Sequence, residues 1–227
     1  MRICPSGQDH LPSFRLELPA LLKMDGVVIA LREWSPLEQS SCTFLGVSDK
    51  ARLAELRSPF ARMEFIAGRT ALHHAGLALG RDVSGSDIQY DNFSGKPYLE
   101  SSESCFNFSI AHTFGLACCA ASLEYQVGCD CERWDRAVDV GALSFLFGRT
   151  FANHKECLVE WTKLEASLKL SGERLIDRMD KSSLTSLAFE AADETHSPPH
   201  VVFNLNECFV VSYCTQLSRN KREEALN

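Results

Sequence analysis

Val127-Gly128-Cys129-Asp130-Cys131-Glu132 alternates apolar and acidic side chains. Successive side chains of an extended strand point to opposite faces, so Asp130 and Glu132 share one face while Cys129 and Cys131 share the other. Further on, the run from Trp161 to Lys169 has helical spacing: Leu158, Trp161, Leu164 and Leu168 form an apolar stripe, flanked by Glu165 and Lys169. Residues four apart are neighbours on a helix surface, which sets the carboxylate beside the ammonium. Three carboxylates and a lysine suit a hard divalent cation and a phosphate, because Mg²⁺ takes oxygen ligands and is usually shared with the substrate's own phosphates.

Outward from this pair, segments 105–113, 116–121 and 125–131 are rich in β-formers and broken at Gly115 and Leu123-Glu124. They are expected as successive strands of one sheet, with His112 in the turn beside Gly115, where a surface or capping role is the ordinary one. Residues 27–31 form an earlier strand, residues 14–18 a possible short one, and a Leu-rich stretch approaches Asp25-Gly26. From 48 to 79 the chain reads as helical, broken or restarted at Pro59 and stopped at Gly80. Arg69 and His73 stand four apart on that helix, a pattern that suits a solvated face and a phosphate-binding face equally. Gly95-Lys96-Pro97-Tyr98-Leu99 reads as a turn with an extended exit. Residues 133–155 read as a charged and then apolar connection, in which Phe145-Leu146-Phe147-Gly148-Arg149-Thr150 echoes Phe65-Ile66-Ala67-Gly68-Arg69-Thr70. The second long helix covers about 155–170, and extended segments are expected at 184–189, 201–205 and 209–213 before a polar tail. This order of elements is α+β and not a regular βαβ series.

With 227 residues the chain can build a sizeable core without staples, and a formal charge of −7 argues against nonspecific nucleic-acid binding as its main task. Neither a signal segment nor an apolar run long enough to span a bilayer is read, so a cytoplasmic protein is expected. Its ten cysteines sit mostly in apolar runs, where a reduced thiol behaves as a small hydrophobe. Zinc on Cys129, Cys131 and His112 is disfavoured, since the strand turns both thiols away from the acidic face. No dinucleotide fingerprint, phosphate-binding Walker loop or G-x-S-x-G elbow is present.

Taken in order, Gly68-Arg69, Gly95-Lys96-Pro97-Tyr98-Leu99, Ser109-Ile110-Ala111-His112, Gly128-x-Asp130-x-Glu132 and Trp161-Thr162-x-x-Glu165-Ala166-x-x-Lys169 resemble the motifs of the 4'-phosphopantetheinyl transferases, in their longer, monomeric class. The likeness runs from about 60 to 172. It implies two similar α+β halves about a pseudo-twofold axis, divided here at 1–103 and 104–227, with coenzyme A in the cleft between them and Mg²⁺ at its floor. It implies transfer of phosphopantetheine to a serine of an acyl or peptidyl carrier protein with release of 3',5'-ADP, by a monomer. By position, Asp130, Glu132 and Glu165 would hold the metal, Arg69 and His112 would meet coenzyme A phosphates, Lys169 would approach the pyrophosphate, and Lys96 would lie near the nucleotide. Glu165 is the first choice of base for the serine proton, with Glu132 behind it. Two positions depart from the family: Leu164 replaces its lysine before the helix glutamate, and Ala111 replaces its serine before the histidine. Because carrier proteins are acidic, an apolar contact patch with a basic rim is expected. The competing functions are a Mg²⁺-dependent phosphohydrolase and a noncatalytic module that binds coenzyme A or a carrier protein.

Overall fold

The computed structural model describes residues 13–17, 19–35, 42–99, 106–176 and 199–217. After β1 (Ser13–Phe14), strands β2 (Ala20–Met24) and β3 (Val27–Glu33) are joined through Asp25 and Gly26, which take φ of 46° and 79°. Positive φ at both central residues gives the tight hairpin whose twist matches that of the strands, and Asp-Gly is a favoured pair there. The Leu-rich approach is thus a full strand.

Ser58 then caps α2 (Pro59–Ala78) by accepting the Ala61 N–H, and Pro59 takes a first-turn position where its missing N–H does no harm. The shorter α1 (Val47–Glu55) precedes it, so the break expected at Pro59 is real. Strands β4 (Ile88–Tyr90) and β5 (Pro97–Leu99) form a small separate hairpin. Next come β6 (Asn107–Thr113), β7 (Leu116–Ser122), β8 (Tyr125–Arg133), α3 (Val140–Phe147), α4 (His154–Ser171), β9 (His200–Leu205) and β10 (Phe209–Leu217). The strand expected at 184–189 lies outside the described residues.

The strands build two four-stranded sheets, in the orders β2-β3-β7-β6 and β1-β9-β10-β8. Here the expectation of one sheet for β6, β7 and β8 is corrected. Strand β7 has β3 on one edge and β6 on the other, so β8, only two residues further on, finds no free edge and pairs with β10 instead. Along the seam, Ser109 of β6 accepts the Cys129 N–H of β8 through its hydroxyl at 3.1 Å, and the Cys129 thiol donates to the Ser109 carbonyl at 3.1 Å. The first sheet takes two strands from each side of residue 103.

Alternation along each strand divides the core. Val27, Ile29 and Leu31 of β3, Cys118 of β7, Val127, Cys129 and Cys131 of β8, and Val211 and Tyr213 of β10 meet between the sheets. On the outer face of the first sheet, Val28, Ala30, Cys119 and Ala121 receive Ala71, Leu72 and Ala75 of α2. On the outer face of the second, Cys214 packs with Ala166 and Leu170 of α4, and Val202 and Val210 pack with Leu158. Each fully buried Leu, Val or Phe side chain contributes roughly 1.5–3 kcal/mol. The eight described cysteines form no disulfide and, Cys42 and Cys208 apart, are buried.

The connection at 133–155 contains α3, capped by Asp139 accepting the Ala142 N–H at 2.9 Å and ended by Gly148 in the left-handed region. The six-residue echo has no structural counterpart, because Gly68 lies inside α2 whereas Gly148 terminates α3. Together the elements make a mixed α+β fold.

Candidate functional site

The site begins at a close approach. A Cβ on Gly128 would lie 2.0 Å from the Ala166 carbonyl oxygen and 2.6 Å from the Leu170 N, so only glycine lets α4 lie this near β8. Side-chain alternation then turns Asp130 and Glu132 toward the same helix, with Cys129 and Cys131 in the core behind, as the sequence pattern requires. Asp130 and Glu132 are both buried, at 6% and 8% exposure.

Lys169 reaches from α4 and donates to Asp130 Oδ1 at 2.8 Å. Its hydrogen bond goes across to the strand and not to Glu165, the helix neighbour that its spacing suggests. Burial works to lower the Lys169 pKa, but the Asp130 carboxylate and nearby thiols outweigh it, so the ammonium is held firmly protonated. Burial pushes the Asp130 carboxyl up, against the pull of Lys169 and of Arg136. Its second oxygen, Oδ2, is buried with no hydrogen-bond partner. Glu132 forms an ion pair with Arg136 and accepts from the Thr113 hydroxyl at 3.3 Å. Burial first, and then the Asp130 charge, raise the Glu165 carboxyl above the ordinary range.

Glu165 and Lys169 form one wall of a cleft of about 320 Å³. Lys96, Ser109 and Ile110 form the facing wall, and Gly172 closes the end of α4. Lys96 is carried there by the β4–β5 hairpin, whose turn is organised by Asp91 Oδ1 accepting the Phe93 and Ser94 N–H groups at 3.0 and 2.8 Å. The Lys96 ammonium donates to the Leu170 carbonyl oxygen at 3.1 Å, which ties the hairpin to the last turn of α4, and burial lowers its pKa. Two ammonium groups and a carboxylate of raised pKa thus border one opening, an arrangement able to take an anionic ligand and accept a proton beside it.

The other expected residues lie apart from these walls. Arg69 is buried, bound to Asp49 of α1 at 2.9 Å and to the Tyr90 hydroxyl, with its guanidinium 4.8 Å from the centre of the Phe65 ring. It is therefore not part of a solvated face. His112 is the penultimate residue of β6 and not a turn residue; its Nδ1 stands 3.7 Å from Glu64 of α2, and its side chain is about half exposed. Arg136 carries no local signal, since it lies four after Glu132 but outside any helix. The partnerships of Asp49 with Arg69 and of Thr113 with Glu132 depend on the tertiary fold.

His200 couples β9 to the far side of α4. Its Nε2 stands 2.9 Å from the Ser167 hydroxyl, and its Nδ1 stands 3.5 Å from that of Ser212. Burial, aided by Lys163, pulls its pKa down to about 4 from 6.5. The neutral form is the one that folds, so its contribution is complete above pH 6.5 and is lost as pH falls toward 4. Between pH 7 and pH 5 this single group is expected to remove about 2 kcal/mol of stability. Urea denaturation of the wild type and His200→Gln at both pH values checks it; equal pH dependence in the two would refute the assignment.

Among the described residues, no group of three or more His, Cys, Asp or Glu side chains is gathered closely enough to hold a metal ion. The donors nonetheless fit a hard cation in kind, since Asp130, Glu132 and Glu165 offer only oxygens and Asp130 Oδ2 is buried without a partner. No helix among the described residues is long and apolar enough to cross a membrane. Comparison with protein-family models and with curated proteins finds no match.

Proposed function

We propose that the chain transfers the 4'-phosphopantetheine arm of coenzyme A to a serine of an apo acyl or peptidyl carrier protein. The observation that carries this reading is the Asp130–Lys169 pair, hydrogen-bonded at 2.8 Å, beside a cleft walled by Lys96 and Glu165. Lys96 and Lys169 present positive charge to a pyrophosphate, and Asp130 fixes the Lys169 ammonium in place. Glu165, with its carboxyl raised by burial and by the Asp130 charge, is poised to take the serine proton as Oγ attacks the β-phosphorus. The bond from that phosphorus to the bridging oxygen breaks, and 3',5'-ADP leaves. Asp130, Glu132 and Glu165 would hold Mg²⁺, which when bound supplies neutralisation of charge on the pyrophosphate oxygens.

The same reading expects two similar halves about a pseudo-twofold axis, and it is supported by two four-stranded sheets that each carry one long helix on the outer face. Exposed Phe60 and Phe114 have ring centres 5.9 Å apart, with the Arg133 guanidinium 5.4 Å from Phe114. They suit the apolar, arginine-rimmed contact expected for a carrier protein. Leu164 is 3% exposed among Phe147, Phe151 and Leu168, so it contributes packing where the family places a cation. That observation favours the second reading, a module that binds without transfer.

Mass spectrometry of an apo carrier protein incubated with the chain, coenzyme A and Mg²⁺ separates the two. The carrier is expected to gain one phosphopantetheine, the gain to vanish with chelator, and Glu165→Ala to slow it by about a hundredfold or more. Coenzyme A binding with no gain on any of several unrelated carriers would leave the binding module standing.

A further inference from the structure

We infer that Arg69, buried away from the cleft, is a positioning residue that sets Lys96 against α4 by holding Tyr90 of the β4–β5 hairpin. The inference rests on the reading of the cleft as a site for a diphosphate ester, and it needs no metal ion. One wall of the cleft belongs to α4 and the other, in part, to this hairpin, so the place of the Lys96 ammonium depends on where the hairpin sits. Each arm of the hairpin is only three residues long, and the two form a sheet of their own with no ladder to either four-stranded sheet. A lone two-stranded hairpin is marginally stable at best, so strand pairing does not locate it. Side chains do. At its base Ile88 is buried with Ala71, Leu72 and Ala75 of α2. Just before it, Asp87 accepts from the Ser48 hydroxyl at 3.0 Å and from the Ser48 N–H at 3.3 Å, at the start of α1. At the far end of β4 the Tyr90 hydroxyl accepts from Arg69 Nη2 at 2.5 Å. Tyr90 is paired with Pro97 across the hairpin, and the Asp91 N–H donates to the Lys96 carbonyl oxygen at 3.0 Å. The contact from Arg69 thus ends beside the cleft lysine.

Arg69 is itself fixed by its surroundings. Its Nε donates to Asp49 at 2.9 Å, its guanidinium lies 4.8 Å from the Phe65 ring centre, and its side chain is 7% exposed. Taking a guanidinium and a carboxylate out of water is costly, and well-packed apolar side chains often replace such a pair without loss. What the pair supplies is direction, because a planar fork anchored through Nε presents Nη2 along one line. The fork cannot turn toward a ligand in the cleft without stranding Asp49, so it acts through Tyr90. Beyond Tyr90 the turn rests against the end of α4. A Cβ on Gly172 would stand 3.2 Å from the Ser94 Cβ, and the Lys96 ammonium donates to the Leu170 carbonyl oxygen at 3.1 Å. Loss of the Tyr90 contact frees the far end of the hairpin from this seat and carries the ammonium away from the anion.

The test is calorimetric titration of inorganic pyrophosphate and of coenzyme A, with no divalent cation added, into the full chain as wild type, Tyr90→Phe, Lys96→Met and the double variant. Tyr90→Phe removes one oxygen from a ring that is 47% exposed and leaves the Asp49–Arg69 pair in place, so the fold is retained. It is expected to weaken binding of both probes about fivefold. Lys96→Met is expected to weaken it about thirtyfold, and the double variant no further than Lys96→Met alone. A contact that served only the stability of the fold would not lose its effect on affinity when Lys96 is gone. Arg69→Lys, which keeps a charge for Asp49 but not the fork, is expected to match Tyr90→Phe. Equal affinity in wild type and Tyr90→Phe, or the same loss with and without Lys96, would overturn the inference while leaving the ligand reading of the cleft intact. Pyrophosphate binding with the expected pattern, and no binding of coenzyme A, would support the inference and overturn the coenzyme A reading. Failure of the wild type to bind either probe would overturn both.

Discussion

Gly128→Ala is expected to destabilise the fold by about 3–5 kcal/mol, which is in the uncommon range for a single methyl group. The added carbon would stand 2.0 Å from a carbonyl oxygen, 2.6 Å from a backbone nitrogen and 2.9 Å from the Leu170 Cβ. Two of these neighbours are backbone atoms of α4, so no side chain can swing aside to relieve the overlap. The helix has to move as a body, and with it go the contacts of Ala166 and Leu170 with Cys214. Overpacking commonly costs about 1–3 kcal/mol when side chains can adjust, and more where backbone is met. Torsion is not the reason for this glycine, since its φ is not among the positive ones. The requirement is for space. Urea denaturation followed by circular dichroism measures the loss. A change below about 1 kcal/mol would mean that α4 lies further from β8 than the geometry indicates.

Lys169→Met is expected to lower stability at neutral pH by about 3–5 kcal/mol, because it leaves Asp130 buried and charged with no direct partner. Methionine retains the apolar length of the stem, so lost packing contributes little. The sign with pH follows from the remaining carboxyl. With Lys169 gone, the folded pKa of Asp130 rises further above its unfolded value, so the deficit is largest at neutral pH and shrinks as the pH falls and the carboxyl protonates. Lys169 itself, with a raised pKa, stays charged throughout that range and adds no slope of its own. The double variant Asp130→Asn/Lys169→Met is expected to recover much of the loss, since it removes the stranded charge. Thermal denaturation of the two variants from pH 4.5 to pH 8 tests this. A deficit that does not vary with pH would show that Lys169 acts through packing.

The acidic strand and its partner helix were legible because their signals are local. Alternation sorts Val127, Cys129 and Cys131 from Asp130 and Glu132 within six residues, and the stripe of Leu158, Leu164 and Leu168 fixes which side of α4 is buried. What escaped is non-local. Nothing near Gly128 in sequence announces that a helix carbonyl will rest against it. Nor does the spacing of β6, β7 and β8 reveal that both edges of β7 are already taken, one of them by a strand from residues 27–33. Arg69 had a helical pattern suited to solvent or phosphate; its burial is decided by Asp49, twenty residues earlier. The α3 segment did carry local marks, Asp139 as a cap and Gly148 as a stop, but its eight residues lack the polar face that makes an amphipathic helix readable.

Pairing of β8 with β10 also orders events during synthesis. Strand β8 ends at Arg133, while the strand that completes its sheet spans Phe209–Leu217. As the chain leaves the ribosome, β2, β3, β6 and β7 can close into a sheet against α2 well before residue 209 emerges. The acidic strand must meanwhile wait with no strand paired to it. A nascent chain stalled after α4 therefore holds a finished first sheet and the Thr113, Arg136 and Lys169 partners of the acidic strand, but not the strand that pairs with its backbone.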